Sequence, residues 1–568
     1  MNTIYKHRRI SFWLFSAFIF LSFGFSPIND NNFFFKINKG IDTFGKVYQE
    51  IANNYVEKID PERLMHASID GMLDELDPYT QFFDESETDE VELITTGKYG
   101  GVGITIGIRD GYVTVMSLME GYSAQRQGII PGDKIIEIDG KNIVGVKAEE
   151  VRRLTRGDPF TEVKVKVDRD GEKEPLDFSL MREEIQLKSV TYSDFIEPGL
   201  AYLRLERFTR TTGEDVRFAL QELKMRGEIT SLILDIRDNP GGLLDAAVEV
   251  AETFLPKNTL IVSTKGREGT NLPQRDYRTS RDPLIRNIPL VVLANRNSAS
   301  ASEIVAGAIQ DDDRGIILGT RTYGKGLVQT ILNLPYNAQL KITSAKYYTP
   351  SGRCIQEIEY NEKHGGVFSA APESLRKEFT TIHNRKVKDL GGITPDTLVE
   401  PLEVSSLYKA LMQKSFLFKY ANAFVSANKE MPLELPSDNA MLSDFKRFVA
   451  DKQFTFEDES ETKLKEISDL ATKSKMSSTL ITKLDEVKDQ LTKEKDSSYE
   501  RSKHDIVRTL KMEIMSRYRG EKGRIEFSLK DDEQVLAAVG ILKSKEVYSR
   551  LLSPQIQEAK ANEGKKKE

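Results

Sequence analysis

Two short segments carry residue types suited to acyl transfer: Ser298-Ala299-Ser300-Ala301-Ser302-Glu303, and Tyr323-Gly324-Lys325-Gly326 followed by Gln329. A serine that opens a helix has an exposed hydroxyl, and the first N–H groups and dipole of that helix can stabilise a developing oxyanion. The hydroxyl still needs a base to take its proton. Only five histidines occur, His7, His66, His364, His383 and His504, and none lies in either segment. A Ser-His-Asp triad would have to draw on His364 or His383, in loop-like sequence. Lysine can do the same work where burial lowers its pKa toward neutrality. Lys325 sits between two glycines that allow close backbone approach, beside an aromatic and entering an apolar run. If Lys325 to Gln329 is extended, the two residues share a face, and the Gln329 amide can orient the lysine amine.

Plainer explanations compete at each position. Ser300 and Glu303 form an S-x-x-E capping box, which alone would account for the serine. A Gly-Lys-Gly is more often a loop lysine than a base, and Gly241-Gly242 reads as a turn. The combination is what is specific.

The elements that must position these residues read as strand, turn, helix, repeated from Leu200 to about Val399. Leu232 to Ile236 is a continuous apolar strand, Asp238-Asn239-Pro240-Gly241-Gly242 a turn, and Leu243 to Phe254 a helix. Leu290 to Leu293, a turn at Asn295 to Ala299 and a helix from Ser300 to Gln310 repeat the theme. Strands follow at Gly315 to Leu318, Leu327 to Leu332 and Leu340 to Tyr347. Such alternation predicts an α/β core built on parallel units. Ahead of it, Phe44, Val47, Ile51 and Tyr55, then Leu64, Ile69 and Leu73, recur at helical spacing, with Asp60-Pro61 between the two helices.

Between about Val91 and Glu183 the texture is of short β-like runs broken by glycine. Gly101-Val102-Gly103-Ile104 opens one run, Pro131-Gly132-Asp133 precedes the strand Lys134 to Ile138, and Asp139-Gly140 is a hairpin signal. In that order these features resemble a PDZ domain. The resemblance places Gly101, Val102, Gly103 and Ile104 in the loop whose N–H groups bind a peptide's terminal carboxylate, with the peptide adding as a strand.

The whole span from about Phe44 to Val399 resembles the carboxyl-terminal processing proteases, also called tail-specific proteases. The segments that carry the resemblance are Asp235 to Gly242, Ser298 to Glu303, Tyr323 to Gln329, Tyr348 to Arg353 and Gly391 to Asp396. It implies a multidomain α/β fold with a crotonase-like, ClpP-like protease core and an inserted PDZ domain. It further implies Ser300 as nucleophile, Lys325 as general base and Gln329 as its orienter. The oxyanion hole would come from the N–H of Ala301 and of Gly241 or Gly242. The expected activity is a serine endopeptidase acting on protein or peptide substrates with apolar C-termini, without metal or cofactor. Two other classes fit the scaffold: a binding protein that has lost hydrolysis, and an acyl-CoA enzyme on the related crotonase fold.

Composition bounds the rest. With 568 residues, 39% apolar and 30% charged, the chain can bury the cores of three or four domains. Lys and Arg number 81 against 88 Asp and Glu, a net charge of -7 that gives no support to nucleic acid as a partner. A single cysteine, Cys354, excludes an internal disulfide and a cysteine-based zinc site. No H-E-x-x-H occurs, and the acidic runs Asp84 to Glu92 and Asp311 to Asp313 read as solvated faces or turns. Lys6, Arg8 and Arg9 precede an apolar stretch from Ile10 to Phe25. That is the pattern of a secretory signal, with cleavage after Gly24, or of a retained anchor. Either places the body of the protein in the periplasm or cell envelope.

The expected divisions are 1–30 signal or anchor, 38–90 helical unit, 91–183 PDZ, 184–400 protease core and 401–568 charged helical extension. In the extension Leu480, Leu484, Val487 and Leu491 form one stripe, Ile506, Leu510 and Ile514 another, and Val535 to Leu552 a further helix. The resemblance does not extend to this region. Gating, self-association and adaptor binding are its candidate roles.

Overall fold

The computed structural model describes residues 31–267, 274–364, 367–370, 372–456 and 459–553. The N-terminal leader pattern and the lysine-rich end lie outside them. The chain forms two compact units, Met1–Pro78 and Tyr79–Glu568. In the first, α1 (Asn31–Asn54) is followed by α2 (Pro61–Leu73). Pro61 opens α2, and the Asp60 carboxylate accepts from the N–H groups of Glu62 and Arg63, as an N-cap should. Among the described residues, no helix is long and apolar enough to cross a membrane.

The second unit begins with β1 (Gln81–Phe83) and α3 (Thr88–Thr96). β2 (Lys98–Gly101) pairs antiparallel with β9 (Glu183–Gln186), closing the neck of the segment between them. That segment holds β3 (Ile104–Arg109), β4 (Tyr112–Leu118), β5 (Lys134–Ile138), β6 (Lys141–Asn142), β7 (Glu162–Asp168) and β8 (Leu176–Met181). The sheet order is β3-β4-β5-β7-β8, with β6 on β5. Helices α4 (Ser123–Arg126) and α5 (Ala148–Thr155) complete it. Val113, Val115, Ile135, Ile138, Val163, Val165 and Leu180 pack into a core drawn wholly from this segment. The expected run opened by Gly101 to Ile104 is divided between two strands, because Val102 and Gly103 turn between β2 and β3.

The segment after β9 is built on a six-stranded sheet. Its edge, β10 (Val190–Glu197), runs antiparallel to β11 (Leu200–Leu205). β12 (Ser231–Asp235), β15 (Leu290–Ala294), β16 (Ile316–Gly319) and the short strand Thr397–Leu398 continue in parallel. β12 and β15 are buried throughout, which explains their unbroken apolar runs: both faces of the sheet are covered. On one face lie α6 (Thr212–Arg226), α7 (Leu244–Glu252) and α8 (Ala301–Asp311), packed against Leu203, Leu232, Leu234 and Val292. A second sheet contains β13 (Leu260–Gly266), β14 (Arg275–Arg278), β17 (Leu327–Asn333) and β18 (Gln339–Tyr348), and β1 joins it by pairing with β18.

The other face of the core sheet is covered by the C-terminal helices. The described residues there form α9 (Ser406–Gln413), α10 (Phe416–Ala427), α11 (Asp438–Asp451), α12 (Glu459–Lys473), α13 (Ser478–Arg501), α14 (Lys503–Ser528), α15 (Glu533–Lys543) and α16 (Lys545–Leu551). α9, α10, α11 and α14 share a core of their own. Val535, Ala538 and Ile541 of α15, with Ile525 and Leu529, instead pack on Tyr202, Ile233, Val291, Leu293 and Leu318. The expected single helix from Val535 to Leu552 is two, broken at Ser544, whose side chain accepts from the N–H of Val547.

The Asp311–Asp313 run does end in a turn, but Asp311 and Asp313 are buried rather than solvated. Asp311 pairs with Arg353 at 2.7 Å, both essentially inaccessible, and Asp313 pairs with Arg385. These ion pairs tie the Tyr348–Arg353 signature and the segment near Asp396 to the end of α8, where an unpaired buried charge would cost several kcal/mol, roughly 3–5.

Candidate active site

The three serines of the 298–302 run differ sharply. Ser298 is inaccessible; its hydroxyl donates to the Ile236 carbonyl at 2.8 Å and accepts from the Asn295 N–H at 3.0 Å. Ser302 is equally buried and donates to the Asn239 carbonyl at 2.9 Å. Both staple this loop to the Asp235–Gly242 loop. Ser300 is half-buried and faces a cavity of about 510 Å³. Its backbone is in a region few non-glycine residues occupy, φ 54° and ψ −111°, a strain that a surrounding structure must impose.

The structure imposes it through Glu303. The capping-box reading accounts for one contact, the Ser300 N–H to the Glu303 carboxylate at 2.8 Å. The same carboxylate, wholly buried, also accepts from the Thr322 hydroxyl at 2.6 Å, the Gly324 N–H at 2.7 Å and the Lys325 N–H at 2.9 Å. One side chain therefore welds the serine loop to the lysine loop. Burial pushes its carboxyl up to about 7, against these donors, which pull it down.

Lys325 and Gln329 line the same cavity as Ser300. The simple alternation argument for their shared face does not describe the local chain. β17 begins two residues after Lys325, and its pairing with β18 slips between Val328 and Gln329. The Gln329 amide donates to the Thr343 hydroxyl at 3.1 Å. Lys325 places its Nζ over the ring of Tyr79, 4.0 Å from the centroid. His383 lies by Asp313, away from this cavity.

The glycine pair also lines the cavity. Gly241 has φ +98°, and a Cβ there would stand 2.6 Å from the Ala299 carbonyl and 3.0 Å from Ser300 Cβ, so only glycine fits. Its N–H donates to the Asn239 side chain at 2.9 Å. Asn239 in turn is fixed by donating to the Leu205 carbonyl. Gly242 packs where a Cβ would meet the Phe208 carbonyl at 2.1 Å. Ala301 is the first residue of α8, so its N–H is among those a helix leaves without an intrahelical partner.

Behind this loop, buried Asp235 accepts from the Tyr202 hydroxyl at 2.6 Å and from Arg237. Burial works against its charge, but Arg237 and Arg204 hold its carboxyl below the ordinary carboxylate range. Arg237 reaches on to Asp532 at 2.9 Å and Gln534 at 3.0 Å, at the start of α15. The apolar side of the cavity comes from Leu244, Ile304, Leu327 and Tyr347, with Leu93 and Ile94 from α3. Sequence reasoning missed Glu303 as a clamp, Tyr79 and the Asp532 latch.

In the PDZ segment β3 is an edge strand, with one side open to pairing. Gly103 takes φ +80° against Tyr122, whose Cβ a side chain would meet at 2.5 Å. The Val102 and Gly103 carbonyls are held by the N–H groups of Ala124 and Met119. The loop's carbonyls thus face inward to fixed partners, and Ile104 leads directly into the open edge.

A strained serine at a helix start, a lysine in the same cleft and a separate PDZ fold define a PDZ-bearing serine-type peptidase. Residues 199–363 match Peptidase family S41 and residues 90–168 match the PDZ domain. Residues 29–88 match the N-terminal domain of the activating protease CtpB, and 407–542 the C-terminal helical domain of a probable PDZ-protease. The extension thus has counterparts, although it resembled none in the sequence reading. A carboxy-terminal-processing protease of Bartonella bacilliformis is 38% identical over 323 residues, 56% of this chain and 73% of that one. The carboxy-terminal processing protease CtpB of Bacillus subtilis is 30% identical over 400 residues, 69% and 81% of the two chains. The chain belongs to the S41 family of carboxy-terminal processing proteases. Among solved structures, a photosystem II D1 C-terminal processing protease is similar at 26% identity, covering 63% of this chain and 92% of that one with a TM-score of 0.35.

Proposed function

We propose that this protein is an exported endopeptidase that captures the apolar C-terminus of a protein in its PDZ groove and cleaves upstream with Ser300 and Lys325. The observation that carries the reading is the sorting of the serines. Ser298 and Ser302 spend their hydroxyls on structure, while Ser300 shares one cleft with Lys325, its backbone locked by Glu303.

In the reaction, neutral Lys325 takes the proton from Ser300 Oγ as that oxygen attacks the scissile carbonyl. The oxyanion is received by the N–H of Ala301 and of Gly241 or Gly242, of which the Gly241 N–H is given to the Asn239 side chain in the resting site. The Lys325 ammonium then returns the proton to the leaving amine, and water hydrolyses the acyl-enzyme by the same route. Gln329 acts as the orienter of Lys325. Substrates enter as extended or unfolded segments, with the terminal carboxylate at the N–H groups of Gly101 to Ile104 and the peptide on the β3 edge. The basic and apolar N-terminal pattern supports a site of action in the periplasm or cell envelope, as an anchored or released protein.

The test uses an unstructured reporter with either an apolar or a polar C-terminal tail. Loss of the apolar-tailed reporter alone, abolished by Ser300→Ala, is the expected result. Cleavage that ignores the tail would remove the PDZ-capture claim, and cleavage by Ser300→Ala would remove the nucleophile.

A further inference from the structure

The general base needs a partner for the positive charge it acquires. In a serine–histidine site that partner is a carboxylate. At Lys325 an aromatic ring faces the amine. Nζ stands 4.0 Å from the centroid of Tyr79, within the range of a cation–π contact. Resting on the Ser300/Lys325 reading above, we propose that Tyr79 is the positioning residue of the general base: its ring face seats the lysine and stabilises the ammonium formed when Ser300 is deprotonated.

The ring is held in place from several sides. The adjacent Thr80 is buried and accepts from the Thr343 N–H through its hydroxyl, and β1 then zips onto β18 from Gln81 onward. The Tyr79 hydroxyl donates to the Tyr323 hydroxyl at 3.2 Å, and Tyr360 meets the ring edge-to-face with centroids 6.1 Å apart. Burial, then these two neighbours, push the Tyr79 hydroxyl well above its ordinary range, so the ring remains a neutral π face. Thr343 also receives the Gln329 amide, so the aromatic seat and Gln329 are anchored to one residue of β18.

Other charged groups surround the lysine, and their signs matter. Glu303 binds the Lys325 backbone N–H. Glu357, paired with Arg321, packs against Gly324. Arg207 and Lys341 line the same cleft and disfavour a second cation, and neutral Tyr347 lines it too. Against two cations, a π face that selectively favours the ammonium has a consequence a plain apolar wall lacks. It lowers the barrier to proton abstraction, and it raises the pH at which the resting lysine becomes a base.

The experiment replaces Tyr79 in the full chain with phenylalanine and with mono-, di- and trifluorophenylalanine, which drain the ring face while nearly preserving its shape. Tyr79→Leu runs alongside, and kcat and KM are measured across pH. Expected are near-parental activity for Tyr79→Phe and a stepwise fall in the pH-independent plateau of kcat along the fluorinated series, reaching about 5- to 30-fold at trifluoro or Leu, with KM little changed. The acidic limb of kcat/KM should move down by about half to one pH unit over the same series. A limb that belongs to Glu303 would stay fixed, since no bond of that carboxylate changes. A flat series, or a Tyr79→Phe variant as impaired as Tyr79→Leu, would overturn the inference. Lys325→Ala separates the two levels: full activity there sinks the dyad itself, whereas an inactive Lys325→Ala with a flat series sinks only the role of Tyr79.

Discussion

The PDZ segment and the C-terminal helices are both additions to the peptidase core, yet they are attached in opposite ways. The PDZ segment owns its core: every buried residue of that cluster lies between Val102 and Leu180. The C-terminal region is divided. Four of its helices make a separate core, while α15 lends Val535, Ala538 and Ile541 to the peptidase sheet and latches Arg237 through Asp532. A domain with its own core can shift as a body without exposing apolar surface. An element that covers another domain's sheet cannot. Ligand-dependent movement is thus available to the PDZ segment and closed to α15.

The sharpest way to break this contrast is truncation before Asp532. It would strip the cover from Tyr202, Ile233, Val291 and Leu293, and the expected outcome is an aggregated or molten core by size-exclusion chromatography and near-UV dichroism. Soluble, active protein would mean α15 is an appendage after all. The excised segment 98–187, in contrast, should fold alone.

Next in size is a titration confined to the core. The Glu303 carboxyl rises from 4.5 to about 7 on folding, so between those values the native state holds a proton that the unfolded chain has lost. Stability from this group is therefore present at low pH and declines as pH rises through that window, by up to about 3 kcal/mol. Glu303→Gln should flatten that slope in urea melts, from a lower baseline because its NH₂ would face two N–H donors. An unchanged slope would remove the assignment.

Single cavities sharpen the comparison further. Ile138→Ala should cost about 2–4 kcal/mol, visible only in the PDZ transition, whereas Ile233→Ala should lower the core and C-terminal signals together. Asp532→Ala should cost roughly 1–3 kcal/mol and reduce kcat more than it alters KM, because Arg237 precedes the Asp238–Gly242 loop. Smallest is Lys419→Ala, which breaks the 2.6 Å ion pair to Asp110 between α10 and the β3–β4 turn. That pair is partly exposed and should be worth under about 1 kcal/mol, fading with salt.

Much of the architecture was legible in the sequence because it rests on local signals. The Leu232 and Leu290 runs could only be covered strands, Asp139-Gly140 could only turn, and Asp60-Pro61 could only open a helix. The S41 membership followed from motif order. What stayed hidden depends on partners far away in sequence. An S-x-x-E pair announces a cap and says nothing of three further donors 19 to 22 residues on. The charged run Asp311–Asp313 reads as solvated until Arg353 and Arg385 arrive from other segments. One signal was available and unused: strands apolar on both faces require two covers, and the helices named for the core supplied one. Tyr79 gave no signal at all, being one aromatic after a proline.

The α15 cover also sets a clock on the enzyme's birth. The sheet that holds the Asp235–Gly242 loop starts with β11 and β12, but its second face closes only when Val535 to Ile541 arrive, about 300 residues later. At about 5–20 residues per second, synthesis takes on the order of 15 to 60 seconds to deliver them. Throughout that interval Arg237 lacks Asp532 and the sheet lacks its cover, so from Gln329 onward the nascent chain holds every residue of the proposed catalytic set without a finished peptidase. On the proposed reading, in which Ser300 and Lys325 cut unfolded segments, the missing cover and latch work against cleavage of the chain's own unfinished copies.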